Sequence, residues 1–216
     1  MQKSEMPEHW KEPPVNAQFT LLKAKEKSTS VQMISRAFEK YPLELLQFYV
    51  NEIYVFRRMR LYGYGYSGTH GKKSLFLSND GVGNGFSIYH LENCVHHELA
   101  SLFLFHNKEK FNGAKWLQLG ASPYPTDDAT GAFRENLTDN QFRKHYAAKG
   151  YLHAFASSGL RNDFVSHAEN MFMANEQYYQ WLQKYPDLYS KFKIMCSFFY
   201  LLDDRLTPKF FINLRH

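Results

Sequence analysis

Tyr89-His90-Leu91-Glu92-Asn93-Cys94-Val95-His96-His97-Glu98-Leu99-Ala100-Ser101-Leu102-Phe103-Leu104-Phe105-His106 is the stretch from which the rest of the chain can be read. Apolar residues dominate it and neither Gly nor Pro interrupts it, so the pattern predicts a buried helix. Ser87, just upstream, is placed to cap it by accepting from the first free backbone N–H groups. A buried helix carries few polar groups, and each one needs a partner or a purpose. Here they gather on one stripe: His90, Cys94, His97 and Ser101 stand at i, i+4, i+7 and i+11, with Glu98 beside His97.

Composition bounds what such a helix can belong to. At 216 residues, 44% hydrophobic and 17% aromatic, the chain suits one domain with a sizeable core and is too apolar for disorder. The net charge is +5, but Lys and Arg do not cluster beyond Arg57-Arg58-Met59-Arg60 and Lys72-Lys73. A solvated surface is expected, with no nucleic-acid partner. Two cysteines, Cys94 and Cys196, make neither a disulfide scaffold nor a thiolate zinc module. No apolar run approaches the roughly 18 residues of a membrane span, and none follows Met1-Gln2-Lys3-Ser4 as a leader would. A cytoplasmic protein is expected if the chain is complete, and a secreted or periplasmic one if a signal has been removed. Nothing in the sequence bears on oligomeric state.

Residues 1–28, with Pro7, Pro13 and Pro14, read as an irregular N-terminal arm, and 29–216 as a single domain. A helix is expected over 29–40, capped by Ser30 and stopped by Pro42. Tyr49-Val50-Asn51-Glu52-Ile53-Tyr54-Val55-Phe56 reads as a strand, and Ser74–Ser78 as a shorter one closed by Asn79-Asp80-Gly81. The Gly- and Tyr-rich run between them must bend, with Tyr62–Tyr66 packing at a strand edge. Residues 107–148 read mostly as loop, a length that in a compact domain usually covers a site. Helices return over 162–176, 178–185 and 188–202. The fold class is α+β, a small N-terminal sheet followed by a mostly helical C-terminal half.

His97-Glu98 on an apolar helix is the first half of an HExxH arrangement. There, two His one turn apart bind zinc, and the Glu between them is the base for zinc-bound water. The i+4 residue after His97 is Ser101. With Tyr66-Ser67-Gly68-Thr69 before it and Asn162-Asp163-Phe164-Val165-Ser166 after it, His96-His97-Glu98 gives residues 40–211 a resemblance to the zincin metallopeptidases. The layout is most similar to the gluzincin-like bacterial zinc-binding metallopeptidases with an HHExxH helix, which resemble the anthrax lethal factor catalytic domain in fold. The resemblance implies a zincin-like fold, with Glu98 as the catalytic base and His97 as a metal ligand. It implies a third ligand at the position of Asn162 and an oxyanion-steadying Tyr at the position of Phe155, seven residues earlier. The pattern's second acid falls on Ser166. The motif is thus degenerate (HHExxS): Ser101 and Asn162 occupy ligand positions, and Phe155 offers no hydroxyl.

Three functions follow as expectations. The first is a metallopeptidase-family protein with an incomplete zinc site, its catalysis lost or altered and its zinc weak or absent. The second is an active zinc peptidase whose metal set is rearranged to His97 with some of Cys94, Asp163, His167 and Glu169. The third is a non-catalytic module holding an extended peptide or glycan in the cleft. Against the second stand simpler roles, with Cys94 as core and Asp163 as a first-turn carboxylate offsetting a helix dipole. His96 is expected to be a hydrogen-bonded neighbour; His153, two residues before Phe155, could reach the cleft but is expected to lie outside it. His106 is expected on the opposite face of its helix from His97.

Overall fold

A helix buried all round must lie between other layers, and α3 (His90–His106) does. Twelve of its residues are buried, from Leu91 to Leu104. The computed structural model describes residues 7–79, 89–120, 123–126 and 130–215. Ser87, and Asp80 and Gly81 of the expected turn, lie outside the described residues.

Before α3 come β1 (Gln18–Leu21), α1 (Ala24–Phe38), α2 (Leu43–Tyr49), β2 (Glu52–Leu61), β3 (Tyr64–Gly65), β4 (Gly68–His70) and β5 (Ser74–Ser78). After it come α4 (Gly113–Leu117), α5 (Gly131–Arg134), α6 (Lys144–Ala147), α7 (Ala154–Ser158), α8 (Leu160–Phe172), α9 (Glu176–Lys184), α10 (Pro186–Leu202) and α11 (Pro208–Asn213). The fold is α+β, a small mixed sheet followed by helices. Among the described residues, no helix is long and apolar enough to cross a membrane.

The sheet runs β1-β2-β5-β4, with β3 paired to β2. β2 and β5 are parallel, while the β1, β3 and β4 pairings are antiparallel. Tyr62 and Gly63 join β2 to β3 with φ of 54° and 80°. Positive φ at both central residues is the geometry a tight hairpin needs, and Gly supplies the second without steric cost. β4 is the short edge strand and packs beside α3. On the other side of α3 lies α8, whose residues Asn162 to Phe172 are all buried.

Three expectations are corrected. The 1–28 arm is not wholly irregular: it contains β1, held by pairing with β2, and the first turn of α1, which starts at Ala24 and not near Ser30. Tyr49 closes α2 instead of opening the strand. Its ring packs on Phe103 with centroids 5.2 Å apart, and Asn107 Nδ2 donates to its hydroxyl at 2.8 Å. Helix–core contacts have outweighed the strand preference of an aromatic residue. The 107–148 segment carries three short helices, α4, α5 and α6.

Candidate functional site

A cleft of about 400 Å³ opens between the β4 edge and the facing sides of α3 and α8. His97 and Glu98 enter it from α3, and Arg161, Asn162 and Glu169 from α8. Phe155 of α7 and Phe133 of α5 supply an aromatic wall. The buried stripe of α3 and the polar opening of α8 therefore meet at one place.

His97 Nδ1 donates to Glu169 Oε2 at 2.8 Å. Burial alone would lower the imidazole pKa; the Glu169 hydrogen bond and charge, helped by Glu98 and opposed by Arg161, outweigh it and raise it. Glu169 thus orients His97 through one ring nitrogen and leaves only Nε2 toward the cleft.

Ser101 is held from two sides. Arg161 Nε donates to its Oγ at 2.6 Å, and His70 Nε2 lies 2.9 Å from the same oxygen. His70 Nδ1 is 2.9 Å from the Gly71 carbonyl, which can only accept, so Nδ1 carries the proton. Nε2 must then accept from the Ser101 hydroxyl. The chain Arg161 to Ser101 to His70 to Gly71 is complete and one-directional. Burial first, and then Arg161, keep the His70 pKa below its ordinary value against the pull of Glu98.

Among the described residues Glu98 has no such partner. It is 4% exposed, and its Oε2 is buried without a hydrogen bond. Its side chain lies under the edge strand: a Cβ on Gly68 would stand 2.7 Å from Glu98 Cγ and Oε1. Only glycine lets β4 approach the carboxylate this closely. Beyond Gly68 no strand among the described residues pairs with the outer edge of β4. Ser78 N donates to Ser67 O and Gly71 N to Ser74 O, so residues 67, 69 and 71 face β5. In an antiparallel ladder the alternate residues, Gly68 and His70, turn their backbone groups outward.

The other predicted residues are sorted by the structure. Asn162 lines the cleft, and its Nδ2 donates to Ser158 Oγ at 2.8 Å. Ser166, expected at the second acid position, is buried, and its hydroxyl donates to Asn162 O at 2.6 Å. Cys94 lines the cleft with Sγ 3.5 Å from His90 Nε2, and burial pushes its thiol pKa far up. Without a nearby cation the thiol therefore stays protonated.

Asp163 and His167 do not join His97. Asp163 is fully buried on another face of α8, where its Oδ2 accepts from Lys191 Nζ at 2.6 Å, Tyr124 at 2.6 Å and Trp116 Nε1 at 3.0 Å. Burial raises its pKa, against the pull of those donors. Asp163 stands in the first turn of α8 as expected, and its carboxylate is in addition paired with a buried lysine of α10. His167 Nδ1 pairs with Tyr178 OH at 2.9 Å.

His96 is hydrogen-bonded to Tyr41 at 2.9 Å. His106 Nε2 donates to the Lys72 carbonyl at 2.6 Å. His153 caps α7, its Nδ1 accepting from Ala156 N at 3.1 Å. Tyr64 of the tyrosine run stacks on Phe133 at 4.7 Å, and Tyr66 lines the cleft.

Arg161 and His70 are the residues that sequence reasoning missed. Arg161 stands next to the supposed ligand position 162, and His70 ends the run Ser67-Gly68-Thr69 that was already noted. Their adjacency was the available signal. Among the described residues, no three His, Cys, Asp or Glu side chains converge as a metal-holding set. No family model, curated protein or solved structure matches the chain.

Proposed function

We propose that the chain is a zincin-like fold whose metal centre has been lost, and that its cleft holds an extended peptide without cleaving it. The observation that carries this reading is the Ser101 hydroxyl held between Arg161 and His70. Catalytic zinc needs three protein donors and one open position. At the cleft, His97 keeps one nitrogen free, Ser101 is taken up by protein partners, and Asn162 turns its amide to Ser158. A guanidinium sits among them and repels a divalent cation. The residues present do not fit zinc, and Phe155 has no hydroxyl with which to steady an oxyanion.

The rest of the cleft suits a peptide. The outward groups of Gly68 and His70 can pair with an added strand. Beneath them, Glu98 Oε2 is an orphan acceptor that a ligand N–H would satisfy. A buried acceptor left open costs stability, and a ligand that completes the bond would offset that cost.

The test is incubation of chelator-treated protein with a pool of random-sequence hexapeptides, followed by mass spectrometry of bound and free fractions. Intact peptides are expected to be retained. Cleavage products that appear with zinc and vanish with chelator would overturn the reading.

A further inference from the structure

Arg161 is placed as an unspent cation. Among the described residues its only hydrogen bond is from Nε to Ser101. Among the described residues the terminal Nη groups donate to no protein acceptor, although Arg161 lines the cleft and is only partly exposed. Glu98, an anion in the same cleft, forms no ion pair with it. Two opposite charges in one cleft that leave each other unpaired are costly unless something else meets them.

The guanidinium is also fixed in orientation. Nε is pinned by Ser101, Ser101 by His70, and His70 by the Gly71 carbonyl. Pinning Nε leaves the Nη edge as the working face of a planar fork, and that fork matches a carboxylate by two parallel N–H···O bonds. Prior fixation removes part of the ordering cost of binding. The sign and size of the anion follow from the neighbours. Glu98 and Glu169 line the same cleft and repel a dianion such as a phosphate more strongly than a single carboxylate. The volume of about 400 Å³ lies within the ordinary range for a small-ligand pocket, and Phe133 and Phe155 offer apolar contact beside the fork.

We propose, resting on the peptide-cleft reading, that Arg161 anchors a carboxylate of the bound peptide, so that the cleft selects chains by an acidic group. That group is either the free C-terminus or an Asp or Glu side chain, and the two sources differ only in where on the peptide the carboxylate sits. Arg161 acts here as a specificity determinant, touching the ligand directly.

The experiment uses the full chain and three hexapeptide pools. One has free C-terminal acids and no Asp or Glu, one has the same sequences amidated, and one is amidated with a single internal Glu. Retention by the wild-type chain is expected to favour at least one acid-bearing pool over the neutral amidated pool by tenfold or more. Which acid-bearing pool wins identifies the source. The preference is expected to vanish in Arg161→Gln, whose amide can still reach Ser101. If that variant does not fold, Ser101→Ala is read instead. It frees the guanidinium from its anchor and should weaken the preference at least threefold. Equal retention of all three pools overturns the carboxylate assignment and leaves the peptide cleft standing, as does a preference unchanged in the variants. Retention of no pool overturns both.

Discussion

Arg161 Nε donates to Ser101 Oγ across 2.6 Å, which joins α8 to α3 where an HExxH pattern would have its second histidine. An imidazole restored at position 101 would therefore meet a guanidinium before it met a metal. Ser101→His with Asn162→Glu supplies an imidazole and a carboxylate beside His97. This double variant should gain little zinc-dependent stability while Arg161 remains. Adding Arg161→Ala should bring a rise in melting temperature with zinc, about 2.7 kcal/mol at a hundredfold excess over the dissociation constant. Equal stabilisation of the double and triple variants would show that Arg161 is no obstacle.

Glu98 is buried, and among the described residues nothing hydrogen-bonds to its Oε2. Glu98→Gln should leave stability unchanged or raise it by up to about 1–3 kcal/mol, the typical cost of an unsatisfied buried group. Urea denaturation measures this. A loss beyond about 1 kcal/mol would mean that the carboxylate has a partner worth keeping.

His153 should make the fold sensitive to mild acid. Burial lowers its pKa to about 4 despite Glu169 and Asp139, and its Nδ1 lone pair caps α7 by accepting from Ala156. The unfolded chain titrates near pH 6.5. Between those values the unfolded chain takes up the proton and the folded one does not. The contribution is thus complete above about pH 6.5 and declines as pH falls toward 4, by ~2 kcal/mol at pH 5. His96, also lowered to about 4 chiefly by burial, acts in the same direction. Melting temperature followed from pH 7 to 5 should fall. His153→Asn, which still accepts from Ala156, should shallow the slope, and an unchanged slope would rule His153 out.

The parts of this protein that were legible in its sequence are those whose signal is local. α3 lacks Gly and Pro over its whole length and was read to within a residue of its start. β5 was read with both ends in place. β1 was not, because four mostly exposed residues carry no pattern of their own and are held by the ladder to β2. Asn162 and Phe155 were placed near His97 and Glu98 only by the resemblance, and Glu169 only as one member of an alternative ligand set; all five line one cleft. The pairing of Asp163 escaped as well. Its lysine is 28 residues away on α10, and a fully buried Lys191 looks like any surface lysine in sequence. Arg161 was not singled out from the sequence, since the acceptor that pins it is 60 residues earlier.

Whether the metal centre is lost comes down to zinc stoichiometry. The full chain, purified without chelator and without metal-affinity resin, should contain well under one zinc per molecule by elemental analysis, and His97→Ala should leave that value unchanged. At the cleft His97 keeps one ring nitrogen free, and Ser101, where the pattern would have its second histidine, is held by a guanidinium. About one zinc per chain, lost on His97→Ala, would contradict the account.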